Sequence, residues 1–364
     1  MSKILILANH YNTLRIFRRE LIKKLVDTGN KVIISIPATD AENIKILESY
    51  GCEVIITNME RRGRNPFADL LLIVRYLRLL TMIKPHKVIT YTIKPNIYGS
   101  MACKLQNTKH YVNVTGLGSA FQNEGFIKKM VTFLYGISLK KATKVFFENI
   151  GNRDIFIQNN IIPKDKTIVM AGSGVNLDEF LFCDYPADGV IKFLFIGRIM
   201  KEKGVDELFL AIRKIKESYA NITFEFIGWY EDNYGEMVAD LEQQKIIKYY
   251  GFQSDVKPFI QNAHCVILPS YHEGMSNTLL ESAAMGRPII ASNIHGCMEA
   301  VIDGKSGFLC NVKDSNDLYL KIKQFVDLSY ITKTKMGHVA RKHMEKVFDK
   351  RKVVDMTLRE IGNA

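Results

Sequence analysis

Two glutamates, Glu273 and Glu281, stand eight positions apart in the segment EGMSNTLLESAAMGRPII, directly after the apolar run CVILPS. Gly274 opens a turn that delivers the chain into a predicted helix. The backbone amides of Met275–Thr278 would then be free at the helix N-terminus, where they can bind phosphate oxygens without a metal ion. Glu281 would follow about one turn later, facing the same site. The spacing predicts a phosphate site with a carboxylate placed to accept hydrogen bonds from ribose hydroxyls.

Ser276 and Asn277 support this interpretation because both residue types favour the start of a helix. The alternative is an ordinary surface helix that happens to carry two glutamates. The segment GRIMKEKG, at 197–204, favours the phosphate site because it also follows an apolar run. Arg198 can bind a phosphate through two nitrogens and Lys203 is a compact charge. Together these two residues are suited to stabilising a diphosphate leaving group.

The elements that must position these residues follow one pattern through the whole chain of 364 residues. Short apolar runs alternate with amphipathic stretches, which is typical of repeated βαβ units and of parallel sheets covered on both faces. The pattern runs once from KILILA to KVFFEN and again from IKFLFIG to GFLCN. It predicts an α/β protein with two Rossmann-like, doubly wound parallel-sheet domains and an interdomain cleft.

The predicted domain boundaries are residues 1–180 for an N-terminal Rossmann-like domain and 181–345 for a second Rossmann-like domain that carries the predicted phosphate site. Residues 346–364 form a predicted C-terminal helix that packs back on the N-terminal domain, as the end of a helical stretch at about 332–362. A length of 364 residues also exceeds what one hydrophobic core usually serves.

Several other chemistries lack their signals. No glycine lies between Ala8 and Thr13, after the first predicted strand, so the dinucleotide-binding fingerprint is missing there. No D-x-D pair occurs, and the six cysteines are scattered without zinc-ligand spacing. We therefore expect no metal and no cofactor, and a diphosphate held by protein groups alone. No secretion signal and no membrane-spanning run is predicted, which favours a cytoplasmic protein.

Taken together, the residues resemble glycosyltransferase family 4, whose members are retaining enzymes with the two-domain GT-B architecture. The resemblance spans essentially the whole chain and rests on the segments GRIMKEKG, FIGWYED, YYGFQSDVKPFIQNAHCVILPSYHEGMSNTLLESAAMGRPIIAS and HGCMEAVIDGKSGFL. It implies that Arg198 and Lys203 neutralise the diphosphate of a UDP-sugar and that Glu273 holds a hydroxyl of the sugar. Glu281 would bind the ribose, and Glu299 corresponds to a recurring acid whose role stays open.

The resemblance also implies donor-binding positions outside the glutamate helix. Gly251 and Phe252 would offer backbone groups to the nucleotide base. The catalytic set implied in this way is Arg198, Lys203, Glu273 and Thr115. The donor-binding set is Gly251, Phe252, Gly274, Met275, Ser276, Asn277 and Glu281.

The N-terminal half departs from the family pattern at Thr115, in NVTGLGSAF, where many members carry a histidine. If the chemistry uses the backbone carbonyl at this position, Thr115 can substitute; if it needs the imidazole, activity is in doubt. We favour the carbonyl, because the leaving phosphate can itself take the proton of the acceptor. His10 could take part in acid–base chemistry, but a capping or solvent-exposed role is expected instead. The expected acceptor-side residues are Lys94, Asn96, Gly116 and Gly118, with a solvated loop lysine as the alternative for Lys94.

The charge is distributed unevenly between the halves. Residues 1–180 hold 26 Lys and Arg against 14 Asp and Glu, whereas residues 181–364 hold 24 of each. The apolar segments FADLLLIVRYLRLLTMI and FIKKMVTFLYGISLKK lie in the basic half and carry Arg or Lys. Such segments can dock on an anionic membrane surface, although core helices look similar. A nucleic-acid-binding module is permitted by the charge but supported by no recognisable motif.

The combination of YTIKPNIYGS with NVTGLGSAF further resembles a branch used in bacterial capsule and O-antigen assembly. The sequence therefore predicts transfer of a hexose or N-acetylhexosamine from a UDP-sugar to an undecaprenyl-diphosphate-linked saccharide. The enzyme would be peripheral on the inner face of the plasma membrane. The alternatives are a transferase acting on a soluble sugar or sugar phosphate, and a non-catalytic relative that only binds nucleotide.

Overall fold

The structure, a computed structural model, describes residues 1–60, 65–118 and 125–362. The chain forms two compact units, one comprising Met1–Ser173 with Arg351–Ala364 and the other comprising Gly174–Lys350. The first boundary therefore falls at 173/174, where the sequence predicted 180/181.

The first unit is built on a seven-stranded sheet in which every neighbouring pair of strands is parallel. The strand order is β3-β2-β1-β4-β5-β6-β7. In the centre, Leu5 is in register with Ile33 on one side and with Val88 on the other. The strands are β1 (Lys3–Leu7), β2 (Lys31–Ile36), β3 (Glu53–Ile56), β4 (Lys87–Tyr91), β5 (His110–Val114), β6 (Lys144–Phe147) and β7 (Thr167–Val169).

Helices cover both faces of this sheet. They are α1 (Tyr11–Phe17), α2 (Arg19–Asp27), α3 (Ala41–Glu48), α4 (Pro66–Ile83), α5 (Ser100–Leu105), α6 (Phe126–Ser138) and α7 (Ile150–Gln158). Short helical turns lie at Pro95–Gly99, which is a π-helical turn, and at Leu139–Lys141 and Lys164–Lys166. The longest helix, α4, begins at Pro66 because proline suits the first turn, and the Asn65 side chain accepts from the Phe67 amide.

The second unit has a six-stranded parallel sheet of order β10-β9-β8-β11-β12-β13. Its strands are β8 (Ile191–Ile196), β9 (Ile222–Ile227), β10 (Lys248–Tyr249), β11 (Cys265–Leu268), β12 (Ile289–Ser292) and β13 (Gly307–Cys310). Its helices are α8 (Val205–Lys216), α9 (Gly235–Gln243), α10 (Lys257–Asn262), α11 (Asn277–Ala284), α12 (Ser315–Val326) and α13 (Tyr330–His343). Short turns lie at Lys201–Lys203, Met298–Ala300 and Met344–Phe348.

Both sheets confirm the predicted fold class. Because the paired strands are parallel, their carboxyl ends meet at one edge of each sheet, and the loops that leave these ends are the expected ligand-binding loops. In the first unit they include the loops after Leu7, Tyr91, Val114 and Phe147. In the second unit they include the loops after Ile196, Ile227, Tyr249 and Leu268.

The predicted helix over 332–362 is interrupted. The last helix, α14 (Lys350–Glu360), is separated from α13 by the turn at Met344–Phe348 and by Asp349, which leaves the helical region with ψ 118°. The Val175 amide donates to the Phe348 carbonyl at 2.8 Å, and the Lys350 amide donates to the Val175 carbonyl at 3.0 Å. These tertiary hydrogen bonds replace helical ones at the break.

Downstream of the break, α14 belongs to the first unit. Val353, Val354 and Leu358 are buried in the same hydrophobic cluster as residues of β1, β2 and α2. No helix among the described residues is long and apolar enough to cross a membrane.

Candidate donor and acceptor sites

The loop after β8 carries the two predicted phosphate-binding cations. Arg198 follows Gly197 directly, and Lys203 ends the short turn Lys201–Lys203. Gly204 then adopts φ 68°, and a Cβ atom added to it would lie 2.1 Å from the Pro269 carbonyl oxygen. Only glycine fits here, so the loop can close tightly against the chain that follows β11.

Lys203 and Glu273 are brought together by this packing. The Lys203 ammonium group donates to Oε1 of Glu273, and the side chains are only 17% and 14% exposed. The same carboxylate oxygen accepts from Oγ of Ser270 at 2.9 Å. Two residues predicted from separate segments thus share one polar cluster at the carboxyl edge of the second sheet.

The start of α11 has the geometry expected of an anion site. Ser276 precedes the helix but makes no side-chain capping hydrogen bond. Its amide donates to the Gly296 carbonyl at 2.8 Å. Met275 and Ser276 are buried. The amides at this helix N-terminus are the ones that the sequence predicts to bind phosphate oxygens.

Glu281 lies in the second turn of α11 with an altered proton affinity. Burial raises the pKa of its carboxyl to about 7. The ammonium group of Lys350 lowers this pKa and the carboxylate of Glu179 raises it. Because burial disfavours the ionised form of this carboxyl, new hydrogen-bond donors would stabilise that form, and ribose hydroxyls are such donors.

Arg198 forms an ion pair with Glu231, a residue of the segment FIGWYED whose pairing the sequence did not predict. Its Nη1 lies 3.4 Å from Oε2 of Glu231, in the loop after β9, and its side chain is 36% exposed. The Ile199 amide donates to the Trp229 carbonyl at 2.9 Å. The loops after β8 and β9 are therefore joined beside Arg198.

Gly251 and Phe252 lie just after β10. Gly251 has φ 66°, and its carbonyl accepts from the Gly228 amide at 2.9 Å. The Phe252 ring is 65% exposed and contacts the ring of Trp229, with 5.6 Å between centroids and 64° between planes.

The role of Glu299, left open by the sequence, is visible in the loop after β12. Its carboxylate accepts from the Gly296 amide at 2.6 Å and contacts Nδ1 of His295 at 2.8 Å. Gly296 in turn packs so closely on Glu273 that an added Cβ would lie 2.6 Å from the Glu273 carbonyl oxygen. Glu299 therefore fixes the loop that supports Glu273 and the start of α11.

In the first unit, Lys94 follows β4 and is paired. Its ammonium group lies 2.8 Å from Oδ1 of Asp69, and the other oxygen of Asp69 accepts from the Tyr98 hydroxyl at 2.7 Å. Both charged side chains are largely buried, at 13% and 16% exposure. Lys94 is thus a fixed cation near the carboxyl edge rather than a solvated loop lysine.

Asn96 is buried, at 1% exposure, instead of facing an acceptor at the surface. Its amide oxygen accepts from the Thr90 hydroxyl at 2.7 Å and its amide nitrogen donates to the Asn113 carbonyl at 2.8 Å. It ties the end of β4 to β5. Thr92, which directly follows β4, has φ 73°, a strained value for a β-branched residue.

Thr115, Gly116 and Gly118 follow β5, where the sequence placed them. Thr115 is half-buried, and Gly118 has φ 65°. The rest of this motif, residues 119–121, lies outside the described residues. Of the two non-catalytic roles expected of His10, the structure shows the cap of α1, since its Nδ1 accepts a hydrogen bond from the Asn12 amide at 3.2 Å.

A buried ion pair at the same edge was missed by sequence reasoning. Nη2 of Arg18 lies 2.7 Å from Oε1 of Glu148, directly after β6, and the guanidinium lies 5.0 Å from the centre of the Tyr91 ring. Burial raises the pKa of Glu148, while Arg18 lowers it. Only the spatial meeting of positions 18 and 148 reveals this pair. In the described ranges, no group of three His, Cys, Asp or Glu side chains could hold a metal.

Two α/β units, each built on a parallel sheet, are the architecture of GT-B glycosyltransferases. A family model described as glycosyl transferase 4-like matches residues 3–149, and one described as glycosyl transferases group 1 matches residues 185–343. With one model matched in each half, the chain belongs to the glycosyltransferases that these two models describe, and it is an enzyme that transfers sugars. This agrees with the prediction of family 4 and confirms the predicted class of enzyme.

Two relatives align over most of their length. N,N'-diacetylbacillosaminyl-diphospho-undecaprenol alpha-1,3-N-acetylgalactosaminyltransferase of Campylobacter jejuni is 28% identical, over 85% of this chain and 86% of its own. The capsular polysaccharide biosynthesis glycosyltransferase CapM of Staphylococcus aureus is 24% identical, over 84% of this chain and 83% of its own.

Solved structures share the fold. Anabaena Alr3699/HepE in complex with UDP superposes with a TM-score of 0.81 at 16% identity, covering 100% of both chains. A glycosyltransferase from Rickettsia africae superposes with a TM-score of 0.77 at 22% identity, covering 100% of this chain and 99% of the other.

Proposed function

We propose that the enzyme transfers a hexose or N-acetylhexosamine from a UDP-sugar to an undecaprenyl-diphosphate-linked saccharide in bacterial surface polysaccharide synthesis. The observation that carries the donor half is the largely buried pair of Lys203 and Glu273, close in the chain to the N-terminus of α11. The acceptor half is supported by the Campylobacter relative, whose name specifies a diphospho-undecaprenol substrate.

The proposed chemistry needs no metal. As the bond between sugar and diphosphate breaks, negative charge grows on the phosphate. Arg198, Lys203 and the first amides of α11 stabilise that charge. Glu273 accepts a hydrogen bond from a hydroxyl of the sugar, and Glu281 accepts one from the ribose. In a retaining reaction the leaving phosphate takes the proton of the acceptor hydroxyl on the same face of the sugar, and the Thr115 carbonyl supports the positive charge on the ring.

We also propose that the enzyme works at an anionic membrane, on the inner face of the plasma membrane. Large apolar side chains of α4 and α6 are exposed, with Phe67 at 83%, Phe126 at 80% and Phe133 at 66%. Both helices pack against the turn Pro95–Gly99, so they flank one part of the first unit. Solvated apolar groups of this size favour an interface.

The surrounding charge fits anionic lipid. Lys128 and Lys129 lie within α6 between the exposed apolar residues, and Lys140 and Lys141 follow the helix. In the sequence, arginines at 61, 62 and 64 directly precede α4. Basic residues close to a bilayer surface each add roughly 1 kcal/mol of attraction to anionic lipid.

Sedimentation with vesicles separates a membrane acceptor from a soluble one. We expect binding to vesicles of phosphatidylglycerol and phosphatidylcholine, weak binding to phosphatidylcholine alone, and roughly tenfold or greater loss in the double variant Phe126→Ser, Phe133→Ser. Leu210→Ser is the matched control, since this leucine is exposed on α8 of the second unit. Equal partition of both variants would favour the soluble acceptor.

The reaction itself is tested by incubating the enzyme with a panel of nucleotide sugars and with undecaprenyl-diphosphate-linked saccharides. Release of UDP that depends on the lipid-linked acceptor supports the proposal. Release with soluble sugars alone contradicts the acceptor assignment. Tight UDP binding without release from any donor would instead indicate a non-catalytic relative.

A further inference from the structure

A small cavity lies at the carboxyl edge of the first sheet, around the buried pair of Arg18 and Glu148. Its walls come from the ends of β4, β5 and β6 and from α14. The cavity has a volume of about 20 Å³, which suits a group as large as a water molecule or a hydroxyl and excludes a whole sugar ring. Because ligands of parallel sheets bind at this edge, the cavity is placed to receive one substituent of a ligand.

Arg18 brings a buried hydrogen-bond donor to this cavity. The residue is only 8% exposed, and its Nη2 donates to Oε1 of Glu148 at 2.7 Å. In the part of the chain that the structure describes, no group accepts a hydrogen bond from Nε of Arg18, which is buried as well. A buried donor without an acceptor is unfavourable, so an oxygen atom of a ligand would be stabilised here.

The charges of the cavity favour a neutral ligand group. Arg18 and Glu148 balance each other, so a phosphate would be attracted by one and repelled by the other. A hydroxyl fits better, because it can accept from Nε of Arg18 and donate to the Glu148 carboxylate at the same time. Leu21, Met170 and Val353 supply apolar parts of the wall. A sugar, which combines hydroxyls with an apolar ring face, matches this mixture of groups.

The strand register places Glu148 next to Thr115. Val114 of β5 is in register with Phe147 of β6. Neighbouring strands lie about 4.8 Å apart, so Thr115 and Glu148, the next residues of the two strands, leave the sheet side by side. In the proposed reaction the Thr115 carbonyl acts at the sugar that the acceptor attacks. A hydroxyl bound by Glu148 would therefore belong to the acceptor.

We infer that Arg18 and Glu148 bind one hydroxyl of the acceptor sugar and thereby select the acceptor. This inference rests on the proposed function, because it takes the acceptor to be a saccharide. The hydroxyl accepts a hydrogen bond from Nε of Arg18 and donates one to the carboxylate of Glu148. An acceptor without this hydroxyl leaves both buried groups without that partner, which is the basis of strong discrimination.

The test compares acceptors that differ by one hydroxyl. The probes are a polyprenyl-diphosphate-linked monosaccharide that supports UDP release and its monodeoxy analogues, apart from the analogue that lacks the attacking hydroxyl. We expect one analogue to lower the wild-type kcat/KM for the acceptor roughly a hundredfold or more. In Glu148→Gln, kcat/KM for the parent acceptor should fall roughly tenfold or more, and the penalty for that analogue should shrink at least about tenfold. UDP affinity, measured by calorimetry, should stay unchanged.

Arg18→Lys is the second variant, because it keeps a cation beside Glu148 and removes the Nε donor. It should show the same reduced penalty, which keeps the inference testable if Glu148→Gln does not fold. Arg153→Lys is the matched control, since Arg153 pairs with Asp154 at 2.7 Å on α7 of the same unit. Its acceptor selection should match that of the wild type.

The inference is overturned if no analogue shows the large penalty, or if the folded variants keep that penalty unchanged. It is also overturned if the variants lose UDP affinity together with acceptor activity, which indicates a structural role. In these cases the wild type still transfers to the lipid-linked acceptor, and the proposed function stands. A wild type that releases no UDP with any lipid-linked acceptor overturns both.

Discussion

Lys203 and Glu273, separated by 70 positions in the chain, form a largely buried ion pair at the carboxyl edge of the second sheet. In the proposed function Lys203 acts on the diphosphate and Glu273 on the transferred sugar, so the pair would join the two roles at a single point. It also sets a constraint, because removing one charge leaves the other buried without this partner.

Lys203→Ala should lower kcat/KM at least about a hundredfold, since a preorganised group that stabilises the leaving phosphate is lost. The measurement is UDP release under single-turnover conditions. Lys201→Ala is the matched control, because that lysine lies in the same turn with its side chain exposed. Equal activity of the two variants would contradict the assignment of Lys203.

UDP binding should strengthen with pH because of Glu281. With its pKa near 7, the carboxyl changes from mostly protonated at pH 6 to mostly ionised at pH 8, and the ionised form is the better acceptor. Lys350 and Glu179 are the charged groups that act on it. Its contribution to UDP affinity should rise by up to about tenfold over this range.

Glu281→Gln is the reference for that titration, since the phosphates of UDP also change charge near pH 6. Calorimetry at pH 6, 7 and 8 should show a steeper dependence in the wild type than in the variant. Parallel curves would mean that Glu281 does not contact the nucleotide in its ionised form.

The Glu281 carboxyl should also make the free energy of unfolding depend on pH, and this free energy should fall as the pH rises. Its pKa is raised from 4.5 to about 7 in the folded protein, so the folded state binds more protons between these values. The stabilising contribution is complete below pH 4.5 and is lost as the pH rises through 7. Urea unfolding of the second unit should show roughly 2 to 4 kcal/mol more loss between pH 4.5 and 8 in the wild type than in Glu281→Gln.

Gly204→Ala should destabilise the second unit by more than about 2 kcal/mol, because a Cβ would meet the Pro269 carbonyl and φ is 68°. Activity should fall as well, since Lys203 is the preceding residue. Gly235→Ala provides the control: it begins α9, and an added Cβ meets nothing within 4 Å. We expect that variant to be unchanged or slightly more stable in urea. Similar midpoints for the two variants would contradict this packing argument.

The alternation of apolar runs sufficed to predict both sheets, because buried parallel strands and their helices leave a strong local pattern. The loops that carry Arg198 and Glu273 were also predictable, since each follows such a strand. The break at Asp349 was not, because it depends on hydrogen bonds with Val175 that no local pattern encodes. A window around residue 349 contains no proline or glycine to mark it.

Side-chain environments were harder to predict than element positions. Asn96 was expected to face an acceptor, yet the structure buries it, because the turn at Pro95–Gly99 points it at Thr90 and Asn113. The Arg18–Glu148 pair joins residues 130 positions apart. Sequence spacing shows which residues follow a strand, but not which of them turn inward.

The Asn96→Ala substitution should therefore affect the acceptor side by loosening the ends of β4 and β5, and not by removing a contact with the acceptor. Its loss leaves the Thr90 hydroxyl and the Asn113 carbonyl without this partner, and we expect a cost of roughly 2 to 4 kcal/mol in unfolding free energy. The KM for the acceptor should rise, because Lys94 and Thr115 flank the loosened strand ends. UDP affinity should stay unchanged, since the residues proposed to bind the nucleotide lie in the second unit. Asn159→Ala is the control, because that side chain is exposed on the same unit and bonds only locally, to Ile155. A fall in UDP affinity equal to the change in acceptor KM would show that Asn96 supports the whole fold rather than the acceptor side.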